Sequence, residues 1–137
     1  KKDLKNFDIE NLGAEFYGRI NYGKNSEYFV NSDSIITKHE NFLGLFLHGL
    51  KLKSYEFNKY KTKKETRILS INIFGNKNKP SNQNQLKFRA LEEGTFYARD
   101  LVSEPGNILH PDEYAKRLKT HKKDGLRINI YDEKKLF

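Results

Sequence analysis

Six consecutive apolar residues, Phe42-Leu43-Gly44-Leu45-Phe46-Leu47, constrain this chain more than any other feature. As a helix the run is apolar on every face, so it has to be covered on several sides. Only 36% of the 137 residues are hydrophobic while 32% are charged. The core is therefore expected to be thin, and complete cover for the run is not expected from this chain alone.

That length fits one domain or two partial ones. No apolar run approaches the roughly 18 residues of a bilayer-spanning helix. Without cysteine there is neither a disulfide framework nor a thiolate metal site. Membrane-spanning helices and disulfide scaffolds are excluded, and a cytoplasmic location is the expectation. The stretch opens on Lys1-Lys2 rather than on a secretory pattern. It closes on Asp132-Glu133-Lys134-Lys135-Leu136-Phe137, where Asp132 suits a helix cap with little helix after it. Both ends read as cut from something longer.

Ile9, Leu12, Phe16, Tyr17 and Ile20 recur at helical spacing, predicting an amphipathic helix over about 8–21. Glu27-Tyr28-Phe29-Val30 reads as a strand. Thr37 and Glu40 have the spacing of a capping box ahead of the apolar helix. Residues 51–65 read as a helix end passing into a loop, and Ile68 to Phe74 as a β-rich strand. The polar stretch 76–85 is the best linker. A long helix from Leu86 to Val102 follows, stopped by Pro105 and Gly106. Pro111 opens a helix that runs to about Lys123, with Asp112 and Glu113 near its positive end and Gly125 terminating it. Leu126, Ile128 and Ile130 alternate with polar neighbours as a half-buried strand.

Helix and strand alternate, which argues an α/β fold: an incomplete layered sheet with flanking helices, a long interdomain helix, then the opening helix and strand of a second α/β domain. The visible strands are too few for a complete sheet.

Catalytic patterns are absent. The chain has no GxxxxGK[ST], no GxGxxG and no HExxH. His39, His48, His110 and His121 are scattered rather than paired as metal ligands. Ser103, Asp100 and His110 are the residue types of a hydrolytic triad, but no nucleophile elbow accompanies them. Glu92-Glu93 and Asp100 with Glu104 read as the solvated face of a long helix.

Charge is distributed unevenly. The net charge is +8, and 20 Lys and 14 Asn against 4 Ala match codons rich in A and T, so position matters more than total. Residues 1–50 carry 6 basic and 7 acidic groups, residues 51–89 carry 11 and 2, and residues 90–137 carry 9 of each. The entire excess lies in the middle third. There Lys51, Lys53, Lys59, Lys61, Lys63 and Lys64 interleave with Tyr55, Phe57 and Tyr60, a composition suited to phosphates and stacked bases; Lys59, Lys61, Lys63 and Lys64 are its densest part. These four lysines are the candidate polyanion-binding residues, with weak DNA binding as the corresponding expectation.

Two segments resemble a known family. Gly49 to Lys64, GLKLKSYEFNKYKTKK, resembles the helix and loop near the end of the N-terminal domain of cytosolic leucyl aminopeptidases. Arg89 to Leu118, RALEEGTFYARDLVSEPGNILHPDEYAKRL, is similar to that family's interdomain helix and the entry to its catalytic domain. ARDLV, the Asn- and Pro-containing turn and the Pro-initiated helix are the most specific elements. The family's turn usually carries two successive prolines, whereas this chain has Pro105-Gly106-Asn107, which predicts a looser turn.

The resemblance implies a hexameric metallopeptidase, a hydrolase of peptides that releases N-terminal residues using two divalent metals, manganese or zinc. It divides the chain into residues 1–75 as the C-terminal portion of the N-terminal domain, 76–104 as linker and interdomain helix, and 105–137 as the start of the catalytic domain. The family's metal-binding and catalytic motifs do not occur here, so no catalytic or metal residue can be carried over. Residues of this segment are expected to support packing and assembly. The alternatives are a basic nucleic-acid-binding module and a non-functional remnant of a split gene, the last predicting an uncovered patch at 42–47.

Overall fold

A computed structural model describes residues 4–62 and 67–136. The chain divides into two compact units, Lys1–Tyr97 and Ala98–Phe137. The elements are α1 (Asn6–Ile20), β1 (Glu27–Asn31), α2 (Phe42–Lys53), β2 (Ser70–Phe74), α3 (Asn82–Ser103), α4 (Pro111–Lys119) and α5 (Glu133–Leu136). Helices beside a small parallel sheet make an incomplete α/β arrangement, as the alternating pattern predicts.

In the first unit α1 begins where the Asp8 carboxylate accepts the Lys5 backbone N–H at 2.9 Å, a negative group at the positive end of the helix. Ile9 and Ile20 of α1 are buried together with Leu43, Leu45 and Leu50 of α2. The two helices press backbone on backbone. A Cβ at Gly13 would overlap the Phe46 carbonyl oxygen, and one at Gly49 would overlap the Glu10 carbonyl oxygen. Phe16 bridges α1, β1 and α2, its ring 5.5 Å from Phe46 and edge-on to Tyr28 at 6.2 Å. No residue of the run 42–47 is exposed. The short chain supplies the cover that its composition seemed too poor to give, because glycines let α1 approach closely and Phe88 of α3 packs near Gly44.

β1 and β2 pair in parallel, Tyr28 opposite Ile71 and Val30 opposite Ile73. These four residues are half-buried while their strand neighbours are exposed. The turn after β2 is held from β1's side. Asp33 Oδ1 accepts the backbone N–H groups of Asn76 (2.8 Å) and Lys77 (2.6 Å), and Asn78 Nδ2 donates to the Ser32 and Ile35 carbonyls at 3.0 Å each. Gly75 takes a φ of 104°, where a Cβ would lie 2.6 Å from Ser32 Oγ.

Three local expectations are corrected. Thr37 does not cap α2: its hydroxyl accepts the His39 N–H at 3.0 Å, closing a local turn, and the helix starts after Asn41. The long helix begins at Asn82 rather than Leu86, because Ser81 Oγ accepts the Asn84 N–H at 3.2 Å. Residues 126–130 form no ladder. Ile128 and Ile130 are half-buried as the alternation predicts, yet no strand among the described residues lies beside them, and a strand is defined by its partner.

The second unit is organised by ion pairs. Glu104, its side chain 1% exposed, accepts Arg117 Nη1 at 2.8 Å, and Arg117 Nε reaches Glu113 at 3.1 Å. The turn at 105–109 closes on the Pro105 carbonyl, which accepts the N–H groups of Ile108 and Leu109 at 2.9 Å each. Gly106 is therefore held in a hydrogen-bonded turn despite replacing a proline. α4 passes into a 3-10 turn, and Gly125 ends it with a φ of 86°. Asp132 Oδ1 accepts the Lys135 N–H at 3.1 Å, capping α5 as its position predicts.

Candidate functional site

Helix α3 docks on α2 through a stripe at four-residue spacing. Phe88 stacks on His48 with ring centroids 4.8 Å apart, Glu92 Oε1 lies 2.9 Å from His48 Nδ1, and Phe96 packs 5.3 Å from Tyr55. Beneath this stripe a cavity of about 510 Å³ opens, bounded by α1, α2, β2 and α3. Its apolar walls are Leu47, Leu50, Leu69, Ile71 and Phe88.

Four of the charged groups on the cavity wall can be sorted by partner. His48 and Glu92 hold each other, and Arg89 is paired with Glu93 at 2.8 Å. That bond raises the Arg89 guanidinium further above its ordinary range. Arg67 donates from Nη1 to the Asn21 carbonyl at 2.6 Å and from Nη2 to the Asn25 carbonyl, bonds that tie the end of α1 to β2. Neither bond neutralises its charge. Lys51 at the rim lies 6.0 Å from the centroid of Phe96. Tyr17 also lines the space, its phenol pushed above its ordinary value first by burial, then by Glu56, with Arg67 opposing.

Of the four candidate polyanion-binding lysines, Lys63 and Lys64 lie outside the described residues. Lys59 and Lys61 are exposed. The Lys59 ammonium sits 5.6 Å over the ring of Tyr60, which is 48% exposed and edge-on to Phe57 at 5.8 Å. Tyr55 turns inward instead, onto Phe96. The triad-type residues Asp100, Ser103 and His110 are all exposed at the end of α3 and the turn beyond it. Glu92 is not on a solvated face as its helix position suggested: it is turned toward α2 by His48. Glu104 is likewise buried by Arg117.

The cavity was not visible in the sequence. Its walls come from five separated segments, and the only signal that could have pointed to it is Arg67, a lone arginine entering an apolar strand.

Comparison with known proteins identifies the class as aminopeptidases. No protein-family model matches the chain. A probable cytosol aminopeptidase of Wolbachia pipientis wMel is 36% identical over 143 residues, covering 99% of this chain and 27% of that protein. One from Clostridium perfringens is 33% identical over 121 residues, covering 82% of this chain and 24% of its own length. A third, from Methylorubrum extorquens, is 32% identical over 139 residues, 96% of this chain and 27% of its own length. The chain belongs to the leucyl aminopeptidase family and spans about a quarter of the length of these curated relatives.

The described residues offer no ligand set for the metals that family implies. Among the described residues no group of three or more His, Asp or Glu could hold a metal ion. The best-placed carboxylates are engaged otherwise, Glu92 with His48 and Glu104 and Glu113 with Arg117. Among the described residues no helix is long and apolar enough to cross a membrane.

Proposed function

We propose that this chain is a non-catalytic segment of a metal-dependent leucyl aminopeptidase, an enzyme that releases N-terminal residues from peptides in the cytoplasm. Residues 1–75 supply the C-terminal portion of the N-terminal α/β domain, 76–104 the linker and interdomain helix, and 105–137 the start of the catalytic domain. Two divalent metals, manganese or zinc, belong to the remainder of such an enzyme, which assembles as a hexamer. The segment's contribution is packing and assembly. The observation that carries this reading is the alignment of 99% of the chain with a quarter of the Wolbachia protein, together with carboxylates committed to ion pairs inside the fold.

The test is a chimaera in which this chain replaces the matching segment of the Wolbachia protein. It is expected to sediment as the parent does and to hydrolyse leucine amide with manganese or zinc. The 137-residue chain alone is expected to hydrolyse none. A chimaera that folds but neither assembles nor turns over substrate overturns the reading, as does metal-dependent turnover by the pure isolated chain.

The exposed Tyr60 beneath Lys59 favours a second reading, binding of single-stranded nucleic acid by stacking and phosphate contact. Fluorescence anisotropy with a labelled oligonucleotide should show affinity falling steeply with salt. Replacing Lys59, Lys61, Lys63 and Lys64 with Gln should abolish it. Unchanged affinity in that variant dismisses this reading.

A further inference from the structure

We infer that the cavity between α1, α2, β2 and α3 is a binding site for a small organic anion, a carboxylate carried on an apolar body. This inference is independent of the proposed function and concerns no residue assigned to peptide hydrolysis.

Three observations carry it. The first is size: at about 510 Å³ the cavity is within the roughly 300–1,000 Å³ of small-molecule sites. Its walls are aliphatic and aromatic, so an occupant gains by burying an apolar body.

The second is charge. His48 with Glu92 and Arg89 with Glu93 are ion pairs in which the charge already has a partner. Arg67 and Lys51 remain. Arg67 is half-buried, and its two bonds go to neutral carbonyls, so three of its five N–H groups and its whole charge stay available. Among the described residues Arg67 makes no ion pair, although Glu56 and Arg67 both act on the Tyr17 phenol; half-buried cationic charge without a paired carboxylate is costly, and an anionic occupant lowers that cost. Lys51, exposed and with its ammonium over the Phe96 ring, adds attraction.

The third is a donor. Tyr17 lines the same space as Arg67, and its phenol lies close enough for Arg67 to act on its ionisation, with Glu56 acting in the opposite sense. A phenol is protonated at neutral pH, so it can offer an O–H to an acceptor rather than a competing negative charge. An apolar ligand without an anion would leave Arg67 uncompensated, and a bare anion would leave the walls wet. Only a molecule with both parts satisfies the cavity.

The experiment is a titration of the isotope-labelled 137-residue chain, followed by backbone amide shifts, with three probes: 4-phenylbutyrate, its neutral counterpart 4-phenylbutan-1-ol, and acetate. Phenylbutyrate is expected to give saturable shifts at Leu47, Lys51 and Leu69. The alcohol and acetate should each bind at least about tenfold more weakly, one charge-assisted hydrogen bond being worth that much. Arg67→Gln should weaken phenylbutyrate about tenfold by the same reasoning. Arg67 also ties α1 to β2, so Tyr17→Phe serves as a second variant: it preserves the wall, removes one donor, and should weaken phenylbutyrate severalfold without changing binding of the alcohol. Equal binding of alcohol and carboxylate overturns the inference. So do unchanged affinity in both variants and the absence of saturable shifts at the cavity residues.

Discussion

Gly13 and Gly49 are reciprocal: each lies where the partner helix brings a backbone carbonyl into the space its own Cβ would need. Gly13 faces the Phe46 carbonyl of α2, and Gly49 faces the Glu10 carbonyl of α1. The obstacle in both cases is backbone, which cannot rotate away as a side chain can. The burial of Ile9, Leu43 and Leu45 depends on this close approach.

Gly13→Ala and Gly49→Ala are each expected to lower stability by about 1–3 kcal/mol or more, the usual cost of forcing atoms into a packed contact. Gly94→Ala is the control. It lies in α3 with nothing within 4 Å of its added Cβ, so it should gain roughly 0.4–1 kcal/mol from reduced freedom of the unfolded chain. Urea unfolding of the three variants checks both signs.

His48 and Glu92 fasten α3 to α2. The His48 side chain is 8% exposed and Glu92 17%, so Glu92→Ala strands a buried ring nitrogen at a cost of about 1–3 kcal/mol. Because the two act on each other, the double variant with His48→Ala should cost less than the two single changes together. A double-mutant cycle by denaturant unfolding measures this coupling, and strict additivity would show that the pair does not fasten the helices.

Asp33 should make stability depend on pH. The backbone N–H groups of Lys77 and Asn76, in that order, hold its carboxyl below the ordinary value. A carboxylate whose folded pKa is depressed stabilises above its unfolded pKa, and that contribution is lost as pH falls through the folded value. The stability difference between the wild type and Asp33→Asn should therefore be full at neutral pH and shrink below about pH 4, where an ordinary Asp takes up its proton. Unfolding midpoints of both proteins across that range test it.

Arg117 bridges Glu104 and Glu113, and the hydrogen bonds it donates to those carboxylates, Glu104 first, push its pKa up. Arg117→Ala strips the guanidinium from a carboxylate that is almost wholly buried. It should lower the thermal midpoint clearly, while Lys116→Ala, at an exposed site 3.7 Å from Glu113, should leave it unchanged. Equal effects of the two substitutions would show that Arg117 contributes no more than a surface charge.

Much of the fold was legible in the residues themselves. Helical spacing located α1, an unbroken apolar run located α2, β-branched and aromatic runs located both strands, and Pro111 and Gly125 marked the ends of the α4 region. What failed turned on which partner a group finds, near or far. The alternation at 126–130 is real, but alternation reports which side is buried and not whether another strand is present. Thr37 and Glu40 have capping-box spacing, yet the hydroxyl finds a nearer donor in His39. The Ser81 cap was available but was read as part of a polar stretch. The cavity was illegible for a different reason: Tyr17, Lys51 and Arg67 mean nothing together until three elements have packed.

The parallel register has a consequence for how this chain assembles in time. Glu27 pairs with Ser70, 43 positions later, so β1 must wait until the whole of α2 and the loop beyond it have been synthesised before it has a neighbour. The contacts between α1 and α2 need only the residues up to Lys53. Because distant contacts form only after their loop is closed, and chains fold from the N-terminal side as they emerge, the glycine-mediated helix pair is expected to form before the sheet. The sheet is the later event, and Tyr28, Phe29 and Val30 spend the interval as an unmatched strand awaiting its mate.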